Sequence, residues 1–251
     1  MLVVLFPAML AAQTNCDEGS APLNRAQPQG IAPQEVMQRF AAKEAAFKQA
    51  RENYTYTRDV TVQTLNGSAV DGEFREVADI RYDNKGNRAE RVTFAPPSSL
   101  SRASLSKQDY DEIRNAMPFV LTTEALPQYR VLYAGTQHID EIDVYVFDVA
   151  PEKMEGGKRY FQGRIWVDDR DFQIVKTCGK SVPDARGANH ESLSPTFVTY
   201  REQIDGQYMF PIYMRADDTL HFSSGDIRIR VIVKYTSYKR LSPKSARPRQ
   251  Q

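Results

Sequence analysis

The chain has 251 residues, 41% hydrophobic and 26% charged, with a formal net charge of +1. That content excludes wholesale disorder and supplies one sizeable core, and near-neutrality excludes the basic face that a nucleic-acid binder needs. Length allows one large β domain or two small ones, but no Pro/Ser/Gly-rich linker interrupts residues 31–241, so a single domain is expected there.

Met1 to Ala12 is apolar, too short to span a bilayer, and ends in small residues as a secretory signal does, though without the usual basic start. Export is the expectation; the alternative is a hydrophobic N-terminus on a cytosolic protein. Residues 13–30 show no periodicity and read as a mobile leader. Cys16 lies in it, and the preceding Gln13-Thr14-Asn15 does not fit a lipid-attachment site. Cys16 and Cys178 allow one disulfide. The plainer expectation is that Cys178 is a small core hydrophobe and Cys16 a mobile thiol.

Ile31–Asn53 is the longest helix candidate. Pro33 suits its first turn, and Val36, Met37, Phe40, Ala41, Phe47 and Ala50 form its apolar stripe. Phe40 and Phe47 are the only large anchors, so the helix suits either a displaceable lid or a fixed core element.

A period of two then takes over. Within Tyr54–Leu65, Tyr54, Tyr56, Val60 and Val62 share a face, and Arg58 falls on it. Burying a charge is costly unless it is paired. Arg58 is therefore a polar anchor in an apolar cavity or, more plainly, is returned to solvent by a bulge or strand end. Gly72–Tyr82 follows, with Phe74, Ala78, Ile80 and Tyr82 on one face. After the turn at residues 83–87, Arg88–Ala95 returns with Val92 and Phe94, and Pro96-Pro97 stops it. Ser106–Met117 has helical spacing, ended by Pro118, and strands resume at Tyr129–Gly135 and Ile142–Ala150.

Residues 161–180 read as one hairpin. Phe161, Ile165 and Val167 alternate with Gln162, Arg164 and Trp166, the last expected in the core or lining the covered face. Asp168–Asp171 is the turn, and Phe172, Ile174, Lys176 and Cys178 share a face on the return. Beyond the long loop Ser181–Pro195, Thr196–Ile204 and Tyr208–Arg215 flank Asp205-Gly206, a strong hairpin signal; Pro211 makes the second strand an edge or a bulged strand. Leu220–Phe222 and Ile227–Tyr238 close the domain, and residues 242–251 are a basic solvated tail.

Chemistry-bearing motifs are missing. His138, His190 and His221 are scattered, and there is no zinc-protease helix, Cys-x-x-Cys pair, P-loop or dinucleotide fingerprint. Asp168, Asp169 and Asp171 lack the spacing of a calcium loop and read as a solvated hairpin tip. Without an acid–base or nucleophile constellation the expectation is a non-enzymatic protein, with no metal or cofactor.

The strands and helices together predict a mainly β (α+β) fold. One strongly curved antiparallel sheet, a half-barrel, has its concave face covered by the long N-terminal helix and the short mid-chain helix. The hairpin Gly163-Arg164-Ile165-Trp166-Val167-Asp168 with Phe172-Gln173-Ile174-Val175-Lys176, and the closing run Val231–Tyr238, resemble the superfamily of bacterial lipoprotein-sorting-like proteins that includes LolA, LolB and RseB. The resemblance is best over residues 160–240. Where the carriers have an Arg-Pro step that latches their covering helices, this chain reads Asp83-Asn84-Lys85-Gly86. The resemblance implies a monomeric periplasmic or cell-envelope protein, at most peripheral to the membrane, that takes a lipid or acylated lipoprotein. The alternative is an RseB-like module gripping a protein partner. Candidate lining residues of the apolar cavity are Phe40, Phe47, Tyr54, Tyr56, Arg58, Phe74, Ile80, Val92, Phe94 and Trp166, although such aromatic faces equally suit plain core.

Overall fold

The computed structural model describes residues 14–83, 86–102, 119–183, 195–222 and 225–241. The apolar start, the helix expected over Ser106–Met117, most of the Ser181–Pro195 loop and the basic tail lie outside them. Helix α1 runs from Pro33 to Ala50, with proline in its first turn, and passes through a 3-10 turn, Arg51–Asn53, into the first strand. Its buried face is Val36, Phe40, Ala41, Glu44 and Phe47, the expected stripe with one acidic residue set into it.

Ten strands follow. They are β1 (Tyr54–Asn66), β2 (Ala69–Tyr82), β3 (Arg88–Phe94), β4 (Tyr129–Ile139), β5 (Ile142–Pro151), β6 (Tyr160–Asp168), β7 (Ile174–Val182), β8 (Phe197–Ile204), β9 (Tyr208–Phe222) and β10 (Gly225–Arg240). They form one sheet in the order β3-β2-β1-β10-β9-β8-β7-β6-β5-β4. Consecutive strands pair antiparallel except β3 and β4, and the two arcs join where β1 meets β10. The sheet is left open between β3 and β4, which are its edges.

The expected fold class is the one observed. Asp205-Gly206 turns the β8–β9 hairpin with both residues at positive φ, 54° and 67°, the backbone twist that suits a tight hairpin. Pro211 sits at a register shift between β8 and β9 and leaves β9 internal, so its missing N–H is absorbed by a bulge. β9 continues through residues 216–219, where the sequence suggested a break.

Two register shifts correct the expected side-chain faces. Between β6 and β7, Trp166 lies opposite Lys176 but Val167 opposite Ile174. The extra residue, Val175, reverses the alternation. Ile174 packs with Phe40 and Ile165, whereas Val175 and Cys178 pack with Trp166, so Lys176 and Cys178 do not share the face of Ile174. Between β2 and β3, Ala78 lies opposite Val92 and Val77 opposite Phe94. Phe94 therefore leaves the face of Val92 and lies under Arg75, 5.6 Å from guanidinium carbon to ring centre.

The sheet is apolar on both faces. One is covered by α1; the other, around Trp166, Val144, Val146 and Val198, is packed by Cys16 and Leu23. In place of a free leader, residues 14–26 are tied down along their length. Cys16 and Cys178 form a disulfide, against the plainer expectation of two thiols. Ser20 and Asn24 bridge to Ile139 and Thr136 of β4, and Gln137 Nε2 donates to the Ala21 carbonyl at 2.7 Å. Lack of periodicity in a sequence reports the absence of a regular element, and a strap of irregular backbone can still be pinned by a cross-link and a few hydrogen bonds.

Candidate functional site

The α1-covered face is built from three adjoining apolar clusters. Toward β5, β6 and β7, Val36, Phe40 and Ala41 meet Phe147, Phe161, Ile165, Val167 and Ile174, joined by Leu121 from the connection between β3 and β4. Phe40 stands edge-on to Phe147 with ring centres 5.5 Å apart. At the end of the helix, Phe47 packs edge-on to Phe210 at 5.1 Å, and Tyr54 lies against the same ring. Beyond it, Val60, Val62, Phe74, Val233 and Tyr235 form a third cluster with Tyr56 and Tyr238.

Two buried ionic groups are set into this face. Arg201 of β8 donates from Nη1 to both carboxylate oxygens of Glu44, at 2.9 and 3.2 Å, and from Nη2 to the Phe119 carbonyl. Burial pushes the Glu44 carboxyl above its ordinary value, against the pull of Arg201 and Arg51. Arg58 Nη2 donates to Glu76 at 3.2 Å and to Glu90 at 2.7 Å, with only 1% of its side chain exposed. The plainer expectation for Arg58, a return to solvent, is overturned. It stays on the apolar face because the strands beside it supply two carboxylates.

Tyrosines fill the space next to this charge group. Tyr56 lies 5.2 Å from Tyr238 and 6.1 Å from Tyr235, ring centre to ring centre, and the Tyr238 hydroxyl donates to the Pro211 carbonyl at 2.7 Å. Burial pushes the phenols of Tyr235 and Tyr238 well up and that of Tyr82 up to about 12, so all three are neutral hydrogen-bonding groups at physiological pH.

Of the ten expected lining residues, the structure brings Phe40, Phe47, Tyr54, Tyr56, Arg58, Phe74 and Ile80 into buried or half-buried positions among the clusters and ionic groups of this sheet. Three are elsewhere. Trp166 is fully buried but on the opposite face, beneath the strap of residues 14–26. Its Nε1 donates to Gln137 Oε1 at 2.6 Å, and the Lys176 ammonium lies 4.6 Å from its ring centre. Val92 and Phe94 are 44% and 49% exposed on edge strand β3, where no described strand lies beyond to cover them.

Glu44 and Arg201 were not among the expected site residues. Glu44 follows Phe40 by four residues and precedes Phe47 by three, which placed it in the apolar stripe; for Arg201 no such signal existed.

Other features carry less. An open cleft of about 480 Å³ lies where β1 shifts register against β10, and its charged lining of Asp79, Arg81, Arg91 and Lys239 does not suit an acyl chain. The carboxylate of Asp168 accepts the N–H groups of Arg170 and Asp171 and so closes the hairpin turn. Among the described residues no His, Cys, Asp or Glu cluster is arranged to hold a metal ion, and no described helix is long and apolar enough to cross a membrane.

No protein-family model and no curated protein matches the chain. Among solved structures it is similar to a LolA superfamily protein from Nitrosomonas europaea, at 14% identity over 85% of this chain and 95% of that one, with a TM-score of 0.36. It is also similar to a DUF1329 family protein from Desulfovibrio piger, at 12% identity over 79% and 93% of the two chains and a TM-score of 0.33. A third similarity is to the Pseudomonas aeruginosa MucA/MucB complex, at 10% identity over 83% and 99% and a TM-score of 0.24. At these identities and scores the likeness says nothing of ligand or partner.

Proposed function

We propose that this is an exported, non-enzymatic protein of the bacterial cell envelope that binds an apolar ligand, a lipid or acyl chain, on the α1-covered face of its sheet. The observation that carries the reading is helix α1 laid over aromatic clusters of an open sheet. Phe40 and Phe47 are its large apolar anchors, and a chain of methylenes entering beneath the helix would replace their contacts with Phe147 and Phe210. Export is supported by the Cys16–Cys178 disulfide, since such bonds persist in oxidising compartments and are rare in the cytosol.

Protein purified from an envelope fraction should carry lipid detectable by mass spectrometry. A Phe40→Ala/Phe47→Ala variant that stays folded should take up more of a fluorescent fatty acid than the wild type. Absence of both co-purified lipid and probe binding in the wild type would sink the reading.

A second reading rests on the sheet edge. The leader caps part of β4, whereas edge strand β3 presents exposed Val92 and Phe94, the kind of surface on which an extended protein segment adds as a further strand. Protection of β3 amides from hydrogen exchange on adding an envelope extract, with no lipid bound, would favour it.

A further inference from the structure

At one end of the α1-covered face, guanidinium groups gather round shared carboxylates. Arg88 lies directly across from Tyr82 in the β2–β3 pairing, and the 3-10 turn that carries Arg51 touches β2. The Nε atoms of Arg51 and Arg88 are both buried and have no hydrogen-bond partner. The nearest carboxylate is already shared: Glu90 accepts from Arg58 at 2.7 Å and forms an ion pair with Arg88 at 3.1 Å. The Arg51 charge also reaches the buried Glu44 carboxyl, which Arg201 already holds, and its neighbour Glu52 is directed toward Gly86. The Tyr82 phenol lies in the field of both guanidiniums and beside the Tyr56 hydroxyl. All four of these side chains are half-buried, so they form a rim that water and ligand can reach.

Two guanidiniums with a phenol hydroxyl match the oxygens of a carboxylate or phosphate. We propose that Arg51 and Arg88, with the Tyr82 hydroxyl, bind the anionic headgroup, carboxylate or phosphate, of an amphiphile whose chain lies on the α1-covered face. This rests on the apolar-ligand reading above and adds the class of ligand. The chain supplies burial, and the headgroup supplies direction: the charged end stays at the rim where β2 and β3 meet the end of α1.

The test is displacement of the uncharged dye N-phenyl-1-naphthylamine by dodecanoate, dodecyl phosphate and methyl dodecanoate below their micelle concentrations. The wild type should bind at least one of the two anions about tenfold or more tighter than the ester, in keeping with charge-assisted hydrogen bonds. Arg51→Gln and Arg88→Gln should each remove that advantage and leave the ester unchanged, while Arg51→Lys keeps most of it. Whichever anion binds tighter identifies the headgroup. Equal binding of anions and ester by the wild type, or an advantage that survives both glutamine variants, overturns the headgroup site alone. Displacement by none of the three overturns the apolar-ligand reading with it. Should a glutamine variant fail to fold, Tyr82→Phe, which removes only a hydroxyl, carries the comparison.

Discussion

Glu44 and Arg201 join helix to sheet through a fully enclosed ion pair: their closest approach is 2.9 Å, and the side chains are 2% and 0% exposed. Arg201 also holds the β3–β4 connection through the Phe119 carbonyl and lies 5.4 Å from the Phe47 ring centre. Arg201→Ala would leave a carboxyl buried without its partner, a change that typically costs on the order of 3–5 kcal/mol. The loss should also depend on pH. A carboxyl whose folded pKa lies above its unfolded value stabilises the fold below the unfolded value, ordinarily 4.5 for Glu44, and loses that contribution as pH rises through the folded one. Removing Arg201 raises the folded value further. Urea unfolding should therefore show a larger deficit for Arg201→Ala at pH 8 than at pH 5. An equal deficit at both would show that Glu44 escapes to solvent.

Asp217 has the opposite sign. Burial pushes its carboxyl up, but hydrogen bonds from Arg228, Arg230 and Arg215 together bring it below its ordinary 3.8. A depressed folded pKa gives stability that is present above the unfolded value and lost as pH falls through the folded one. Asp217→Asn removes the titrating group, so its unfolding free energy should fall less steeply than the wild type's below about pH 4. Parallel acid limbs in the two proteins would contradict this.

Trp166 is the only tryptophan and is fully buried under the Cys16 strap. Its emission should be blue-shifted and protected from iodide or acrylamide in the oxidised protein. Reduction of the Cys16–Cys178 bond, or Cys16→Ser, should raise quenching by loosening the strap. The cross-link closes a sequence separation of 162 residues, for which chain entropy allows on the order of 4–5 kcal/mol of stabilisation. Trp166→Ala should cost roughly 3–5 kcal/mol. A tryptophan equally accessible before and after reduction would show that the strap does not depend on the disulfide.

Gly163 and Gly179 face each other across β6 and β7. A Cβ on Gly163 would fall 2.2 Å from the Cys178 carbonyl oxygen, and one on Gly179 would fall 2.8 Å from the Phe161 ring. Gly163→Ala must push the strands apart next to the disulfide, at a cost of about 1–3 kcal/mol as overpacking. Thermal melting should show the drop. An unshifted melting temperature would mean that the two strands separate freely.

The strands were legible because each is a run of period two bounded by turn residues, as Tyr208–Arg215 after Asp205-Gly206 shows. Faces were legible only while the alternation held. One extra residue at Val175 and one near Thr93 sent Cys178 and Phe94 to the side that counting had denied them. Arg58 was placed on the correct face, but its burial depended on Glu76 and Glu90 arriving from other strands, a long-range fact that no local spacing carries. The same holds for Glu44 and Arg201, separated by 157 residues. Trp166 was expected in the core or lining the covered face; it joins the core of the opposite face, which depends on a leader with no pattern of its own.

The pairing of β1 with β10 sets the timing of assembly. Tyr54 lies opposite Arg240 and Val62 opposite Val231, so β1 gains its second neighbour only after the last strand has been made. Until then the β1–β3 arc has a bare hydrogen-bonding edge flanked by Val60 and Val62. Folding dominated by such distant contacts is slow, since the entropy of closing the whole loop is lost before any contact rewards it. A translating or translocating chain therefore holds a sticky, half-made sheet for most of its synthesis. The edge of residues 54–66 is covered only when residues 225–240 arrive.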